Sequence, residues 1–341
     1  RGVEAFYEEQ LHGAVGYQKA ETDAFGRMRQ TLDVQRPLAG KDIRLHLDIE
    51  VQKASVEALS GRRGAIVALD PRSGGVLAMV SLPAYDPNIF VTGMSESAFS
   101  ALSSSQYVPL FNRATNGQYA PGSTFKPIVG LSGIAHGRVA WDDEIEDRGV
   151  FQLPGQDRVY RDWSWTKDDS GGQGMVDLRR AIYRSSNVYF YDLASRLPIR
   201  SLVDFASEFG LGRNLALDIP SASHGLLPDP VWKQGAKGLP WYPGDSVNMG
   251  IGQGDLLATP MQMAVVAATF ANRGYRVSPR MVQEVDNGEA SAAFATSSAS
   301  TNRVGLEQLS DDDWEKMAVS MEDVIHRGNQ GVRGNGTAWS Y

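Results

Sequence analysis

Two short apolar runs on either side of a turn constrain the fold of this chain most strongly. Residues 65–69 read Ala-Ile-Val-Ala-Leu, residues 76–80 read Val-Leu-Ala-Met-Val, and the residues between them are Asp-Pro-Arg-Ser-Gly-Gly. Turn residues between two apolar runs predict a β-hairpin. Because neither run alternates with polar residues, we expect the hairpin to be covered on both faces, in an antiparallel sheet flanked by helices.

Helix signals on both sides of this hairpin favour an α+β fold. A strand is expected at 43–47 and a helix over Ile49–Leu59, which Gly61 ends. Thr259 and Gln262 form a capping box around Pro260 and predict another helix. Its predicted core face consists of Met263, Val266, Ala267 and Phe270. A similar helix is expected at 310–327, with an apolar core stripe of Trp314, Met317, Met321 and Ile325.

Charge and cysteine content exclude several classes of function. The 341 residues include 33 basic and 40 acidic side chains, a net charge of −7, and no long basic block, so nucleic acid is not an expected partner. The chain has no cysteine, and its 5 histidines show no ligand spacing. We therefore expect neither a metal nor another cofactor. The acidic run at 142–147 is interpreted as a solvated loop.

The first 40 residues are polar and mixed, and they end in a Pro-Leu-Ala-Gly break. We interpret 1–40 as the end of an N-terminal linker region and 41–341 as the main domain. Residues 290–301, rich in alanine and serine, are expected to form a loop. The chain begins at Arg1 and contains no apolar run of the roughly 20 residues that cross a bilayer. Because it begins at Arg1 rather than Met and ends at Tyr341 in a glycine-rich segment, the chain is interpreted as a fragment of a longer protein.

A serine and a lysine three residues apart form the first candidate catalytic pair. Ser123 and Lys126 would share one face of a helix, so that the amine could take a proton from the hydroxyl. The same spacing occurs by chance at Ser164 and Lys167, where no apolar face follows. An apolar helix ending near Gly137 does follow Ser123. On this helix alone, a nucleophile and a simple N-cap are equally good interpretations of Ser123.

A second motif favours the nucleophile. Ser185 and Asn187 have the spacing Ser-x-Asn, 62 residues after Ser123. The same pattern occurs at Ser246, just before the glycine-rich segment 250–254, whose glycines suggest close backbone packing, and at Ser300 in the alanine- and serine-rich stretch.

Ser-x-x-Lys followed by Ser-x-Asn resembles the order of motifs in penicillin-binding serine transferases. The chain is identified as similar to the elongation-type class B penicillin-binding proteins, the penicillin-binding protein 2 family of peptidoglycan D,D-transpeptidases. The resemblance covers nearly the whole chain and includes residues 1–4, 67–78, 85–88, 112–114, 160–163 and 250–254.

One family motif has no match in this chain. The third motif of the family, Lys-(Ser/Thr)-Gly on a sheet-edge strand, is absent. The one Lys-x-Gly sequence is Lys233-Gln234-Gly235, which lacks the hydroxyl residue and precedes the glycine-rich segment instead of following it. Residues 334–339 resemble the segment just before this motif. We therefore expect the chain to stop short of the third motif and of about three sheet strands.

The resemblance implies a role for each matching residue. Ser123 would attack the penultimate D-Ala carbonyl of a stem peptide and form an acyl-enzyme, while Lys126, with a lowered pKa, acts as base. Ser185 would relay a proton, and Asn187 would orient the pair and the substrate. The Ser123 backbone N–H would supply one oxyanion donor. The second would lie beyond Tyr341, so the fragment is predicted to be inactive or impaired.

Two alternatives remain open. The form Ser-Thr-Phe-Lys also occurs in class D β-lactamases and penicillin-sensing domains, although those relatives usually carry an apolar residue in place of Asn187. The pair could also survive in a non-catalytic scaffold. For the transpeptidase, the resemblance implies stem peptides, β-lactams and a membrane glycan polymerase as partners. It also implies a location at the periplasmic face of the inner membrane, with an N-terminal anchor helix absent from this chain.

Overall fold

The computed structural model describes residues 2–91, 93–166, 171–285, 303–305 and 307–326. Strands β1 to β10 are Tyr17–Thr22, Met28–Gln35, Ile43–Leu45, Gly64–Leu69, Val76–Leu82, Ile145–Asp147, Val150–Gln152, Val159–Arg161, Gly174–Val176 and Val282–Val285. Helices α1 to α13 are Gly2–Phe6, Glu8–Leu11, Ile49–Leu59, Asn88–Val91, Glu96–Ser103, Lys126–Ala135, Leu178–Tyr183, Asn187–Arg196, Ile199–Glu208, Pro230–Lys237, Pro243–Gly250, Pro260–Ala271 and Asp311–His326. A 3₁₀ segment, Gly122–Phe125, directly precedes α6. The predicted α+β class is confirmed.

The predicted hairpin is present as β4 and β5. The two strands pair antiparallel from Gly64 opposite Leu82 to Leu69 opposite Val76. Helix α3 packs on β5, where the Gln52 side chain donates to the Met79 carbonyl and accepts from the Met79 N–H. Helix α12 packs on β4. Each strand of the hairpin therefore has a helix against it. Every residue of β4 is half-buried and β5 alternates at first between buried and half-buried residues, so the coverage expected from the apolar runs is partial.

The strands of the described residues form five separate antiparallel pairs rather than one sheet. The pairs are β1 with β2, β3 with β10, β4 with β5, β6 with β9 and β7 with β8. The β3–β10 and β4–β5 pairs adjoin, because the Val76 N–H donates to the Arg280 carbonyl at 2.9 Å. The expected antiparallel sheet is thus represented, in the described part of the chain, by these two neighbouring pairs.

The main core surrounds α6. All residues at 126–133 of this helix are buried, and Phe125, Ile128 and Leu131 are fully so. Helices α7, α8, α9 and α13 pack around it. A helix enclosed on all sides holds the residues at its N-terminus in fixed positions. Among the described residues, no helix combines the length and the apolar character needed to cross a membrane.

The first 45 residues contribute both packed and exposed structure. Tyr7, between α1 and α2, is 4% exposed and packs with Val282 and Val285 of β10. By contrast, every residue of β2 in the β1–β2 hairpin is exposed. The predicted linker therefore contributes Tyr7 to a small core, against which its Val3 and Leu11 also pack. The boundary at residue 40 stays a prediction.

Several sequence expectations need correction. The strand expected at 43–47 ends at Leu45. Asp147, expected in a solvated loop, lies on β6 and is 2% exposed. The stripe of α12 is only partly core, because Ala267 is exposed, and Ile325 of α13 is 40% exposed. The loop predicted at 290–301, and Arg327 at the predicted end of the last helix, lie outside the described residues.

Candidate active site

Ser123 and Lys126 lie where the 3₁₀ segment passes into α6. Ser123 is exposed, whereas Lys126 is 1% exposed and is the first residue of α6. Pro127 occupies the first turn, where a helix makes no use of the missing N–H. The local sequence thus places a hydroxyl at the surface and an amine in the interior, about one turn apart.

The glycine-rich segment holds the backbone just before Ser123. The Gly122 N–H donates to the Gly252 carbonyl at 2.8 Å, and Gly252 has φ +71°. A Cβ at Gly252 would lie 2.0 Å from the Gly122 oxygen, so only glycine fits here without displacement. This contact confirms the close backbone packing expected from the glycines at 250–254.

The Ser-x-Asn motif forms the turn between α7 and α8. Ser185 has φ +54°, a left-handed conformation that is uncommon for residues other than glycine. Its N–H donates to the Ile182 carbonyl at 3.1 Å. The next residue, Ser186, caps α8, since its hydroxyl accepts the Tyr189 N–H at 3.1 Å. Backbone strain of this kind persists only where the surroundings hold it.

The structure brings all four predicted site residues together. The Lys126 Nζ donates to the Ser185 carbonyl at 2.8 Å, the Ser185 Oγ at 3.1 Å and the Asn187 Oδ1 at 2.7 Å. The Ser185 hydroxyl donates to the Ser123 Oγ at 2.9 Å. Within the described residues, the Ser123 hydroxyl is therefore linked to Lys126 through Ser185. A direct contact between Ser123 and Lys126 was expected, but in the described part of the chain the two residues are joined by hydrogen bonds through Ser185 instead.

Burial is the main influence on the charge of Lys126. It lowers the pKa of the amine to about 7, and the carboxylates of Asp162 and Asp147 oppose this change. The Phe190 ring lies 5.5 Å from the Nζ and adds a cation–π contact to the charged form. The lowered pKa of Lys126 agrees in direction with the change predicted from the sequence. An amine with this pKa is a mixture of neutral and charged forms at neutral pH.

Two buried carboxylates, for which the sequence predicted no role, belong to the site. Asp162 is 4% exposed, and its Oδ1 accepts the Asn187 N–H at 2.6 Å. Asp147 accepts the Ser186 hydroxyl at 2.6 Å. One sequence signal was available for Asp147, since it shares the inward face of β6 with Ile145. No comparable pattern distinguishes Asp162.

The competing motifs have structural roles. The Ser164 hydroxyl donates to Asp162 at 2.8 Å, and Lys167 lies outside the described residues. The Ser246 hydroxyl accepts from the indole of Trp241 at 2.9 Å. Lys233 is buried on α10 and pairs with Asp245, so Lys233-Gln234-Gly235 is helical rather than part of a strand edge.

An open cleft of about 680 Å³ lies beside Ser123. Its walls are mainly apolar and come from α12 and α13 as well as from the segment before Ser123. Side chains of the two helix stripes line it: Met263, Val266, Ala267, Phe270, Met321 and Ile325. Six of the eight residues in the predicted core stripes therefore face this cleft, and a ligand in it would meet the Ser123 hydroxyl.

No group of His, Asp or Glu side chains in the described part of the chain is arranged to hold a metal ion. The arrangement of Ser123, Ser185 and Lys126 offers proton transfer and nucleophilic attack by the chain's own groups. The expectation that no metal or cofactor is used stays a prediction.

Two family models match the chain. A penicillin-binding protein transpeptidase domain matches residues 64–340, and a penicillin-binding protein dimerisation domain matches residues 1–45. The peptidoglycan D,D-transpeptidase MrdA of Acinetobacter baumannii is 39% identical over 333 residues, which cover 97% of this chain and 48% of that protein. MrdA of Escherichia coli K12 is 40% identical over 282 residues, covering 82% and 44%. The chain spans about half the length of these curated relatives.

Solved structures agree with these matches. Penicillin-binding protein 2 (PBP2) of Pseudomonas aeruginosa in complex with WCK 5153 is similar with a TM-score of 0.79 and 40% identity, covering 96% of this chain and 67% of that one. The complex of PBP2 and MreC from Helicobacter pylori gives a TM-score of 0.80 at 28% identity, with 96% and 57% covered. The resemblance inferred from the motifs is confirmed.

Proposed function

The chain belongs to the penicillin-binding protein transpeptidases of the PBP2 type, and on that premise we propose that it carries the acylating centre of a peptidoglycan D,D-transpeptidase. The hydrogen-bonded series Ser123, Ser185 and Lys126 is the observation that carries this proposal. Ser123 attacks the penultimate D-Ala carbonyl of a stem peptide, and terminal D-Ala leaves. The amine of a neighbouring stem peptide then attacks the ester and forms the cross-link.

The hydrogen bonds suggest how the proton moves. A charged Lys126 uses its three N–H groups on the three oxygens around it. When Lys126 loses a proton, its amine nitrogen gains a lone pair. The Ser185 hydroxyl, which donates to Ser123 while Lys126 is charged, can then rotate and donate to the amine instead. The Ser123 hydroxyl can then donate to Ser185 and transfer its proton along the series during attack. The relay role of Ser185 and the orienting role of Asn187 are both part of this proposal.

The oxyanion that forms during acylation needs donors. The Ser123 N–H lies in the first turn of the 3₁₀ segment, where helical N–H groups have no partner within the helix. We place the second donor on a Lys-(Ser/Thr)-Gly strand beyond Tyr341. The apolar character of the cleft beside Ser123 supports this placement, since its walls offer few donors. Residues 1–341 alone are accordingly proposed to be inactive or impaired in acylation.

The proposed partners and location follow from relatives rather than from the site. One structural relative is a PBP2 complex with MreC, and another is a peptidoglycan synthase complex that coordinates polymerisation and cross-linking. We propose that this protein likewise works beside a membrane glycan polymerase during cell elongation. Its site would lie at the periplasmic face of the inner membrane, held there by an anchor.

Labelling with a fluorescent penicillin tests the acylating centre. We expect the full-length protein to form a stable covalent adduct and Ser123→Ala to form none, because the hydroxyl oxygen is the attacking atom. Thr124→Ala is a matched control, since this neighbouring hydroxyl donates to the Pro121 carbonyl rather than to the site. Rapid loss of the label would favour the β-lactamase alternative. Absence of label from the wild-type protein would favour the scaffold.

A further inference from the structure

Two buried carboxylates, Asp147 and Asp162, lie beneath the turn that carries Ser185. They reach it from different elements, Asp147 from β6 and Asp162 from the residue after β8. Both are almost fully buried, at 2% and 4% exposure. Buried carboxylates are rare unless they are paired or hydrogen-bonded. Their partners therefore indicate what these residues do.

Asp162 binds the backbone of the turn. Its Oδ1 accepts the Asn187 N–H at 2.6 Å, and its Oδ2 accepts the Ser164 N–H and hydroxyl at 3.2 and 2.8 Å. The Asn187 N–H is in the first turn of α8 and has no acceptor within that helix. Asp162 supplies this acceptor two residues after the left-handed Ser185.

Asp147 holds the same turn from the other side. Its Oδ2 accepts the Ser186 hydroxyl at 2.6 Å, and its Oδ1 accepts the Gly149 N–H at 2.8 Å. Ser186 in turn caps α8. The two residues that follow Ser185 are therefore each tied to a buried carboxylate, which fixes the strained conformation of Ser185.

The conformation of Ser185 decides whether the relay exists. Its carbonyl and its hydroxyl both accept from Lys126, and the hydroxyl also contacts the Ser123 Oγ. If Ser185 relaxed to a negative φ, its carbonyl and side chain would turn away from these directions. The contact between Ser123 and Lys126 would then be broken, because it runs through Ser185.

We propose that Asp162 is a positioning residue for acylation, which holds Ser185 in its relay conformation through the Asn187 N–H and, together with Asp147, balances the charge of protonated Lys126. This inference rests on the proposed acylating function and deepens it. Asp162 touches neither the reacting atoms nor the cleft. It acts through the turn and through its negative charge.

The electrostatic effect of the two carboxylates on the pKa of Lys126 has a defined direction. The charged groups that act on Lys126 in the described part of the chain are Asp162 and Asp147, and both raise its pKa against the effect of burial. The other groups that face the amine, Ser185, Asn187 and the Phe190 ring, are uncharged. Neutralising Asp162 therefore lowers the pKa of Lys126. Acylation, which needs the neutral amine, would then begin at lower pH.

The rate of acylation by penicillin, measured against pH in the full-length protein, tests the proposal. For Asp162→Ala we expect the rate at the high-pH plateau to fall about tenfold or more, since a hydrogen bond to a charged group is lost. Asp162→Asn keeps an oxygen for the Asn187 N–H and should recover most of that loss. In this variant the rise of rate with pH should move to lower pH. A merely structural residue would leave the position of the rise unchanged.

Asp70→Asn is the control, because Asp70 caps the β4–β5 turn through Arg72 and Ser73. It should match the wild type in rate and pH profile. If Asp162→Ala does not fold, the pH profiles of Asp162→Asn and Asp147→Asn decide, and both should shift to lower pH. An unshifted rise in Asp162→Asn, or a wild-type plateau in Asp162→Ala, overturns the inference. Lack of acylation in the wild-type protein would instead contradict the proposed function.

Discussion

At the scale of single residues, the burial of Lys126 has a direct consequence for the stability of the fold. The charged amine is removed from water and receives three oxygen acceptors, and its pKa falls to about 7 from an ordinary value near 10.5. A lowered lysine pKa means that the folded state binds a proton more weakly than the unfolded chain does. Between these two values the unfolded chain carries more protons, so the stability contributed by this group increases as pH rises.

This linkage gives a prediction for stability. From pH 7 toward pH 10, we expect the free energy of unfolding of the wild-type protein to rise relative to Lys126→Met by a few kcal/mol, roughly 1.4 kcal/mol for each unit of pKa difference. Methionine is similar in length and does not titrate. Chemical denaturation of both proteins at several pH values gives the difference. Parallel stability curves over this range would show that Lys126 keeps an ordinary pKa.

Part of this site could be predicted from the sequence. Ser123 and Lys126 are three residues apart on an apolar helix, so local periodicity alone places both at its start. The left-handed φ of Ser185 could not be predicted, because serine adopts it only where other contacts hold it. The burial of Asp147 was missed because an acidic run usually lies in solvent, and its alternation with Ile145 was the one sequence signal against that interpretation.

At the scale of elements, the contact between the glycine-rich segment and the 3₁₀ segment sets where Ser123 stands. The Gly122 N–H is bound by the Gly252 carbonyl, and no side chain fits between the two backbones. Gly252 follows α11, which packs against α8, and Ser185 lies in the turn that leads into α8. Ser123 and Ser185, the proposed nucleophile and relay, are therefore positioned by the same group of packed elements.

Replacing Gly252 tests this arrangement. Gly252→Ala should cost more than about 2 kcal/mol of stability and reduce penicillin acylation, because its Cβ would overlap the Gly122 oxygen. Gly137→Ala is a matched control: Gly137 also has positive φ, at +60°, but a Cβ there meets nothing within 4 Å. It should cost only about 1 kcal/mol from the backbone and leave acylation unchanged. Equal effects in the two variants would mean that the contact with Gly122 does not position Ser123.

Elements with strong local signals were predictable. Helix α3 has the predicted bounds, Ile49–Leu59, since Asp48 caps it through the N–H groups of Glu50 and Val51. The capping box of α12 is present as well. The pairs β6–β9 and β7–β8 were missed because each of their strands has only 3 residues. Strands that short carry little periodicity, and partners distant in sequence determine them.

At the scale of the whole molecule, Asp218 joins the N-terminal segment to the main domain. It is fully buried and accepts the N–H groups of Met281 and Val282 at 2.9 Å. Tyr7 donates its hydroxyl to the same carboxylate at 3.4 Å, across 211 residues of sequence. Burial, followed by the charge of Asp218, raises the pKa of the Tyr7 hydroxyl, which therefore stays a donor. A contact over such a separation leaves no local pattern, which is why the sequence suggested only a linker.

Neutralising this carboxylate should loosen both regions that it binds. For Asp218→Asn we expect a loss of roughly 1.5–3 kcal/mol, because hydrogen bonds to a buried charge are weakened. Backbone hydrogen exchange should increase in α1, α2 and the β3–β10 pair together. Asp33→Asn serves as the control, because Asp33 accepts the Tyr17 hydroxyl on the exposed β1–β2 hairpin. It should change exchange only in that hairpin. Faster exchange in β10 with none in α1 and α2 would mean that the N-terminal helices are held to the domain by apolar packing alone, without the Tyr7 hydrogen bond.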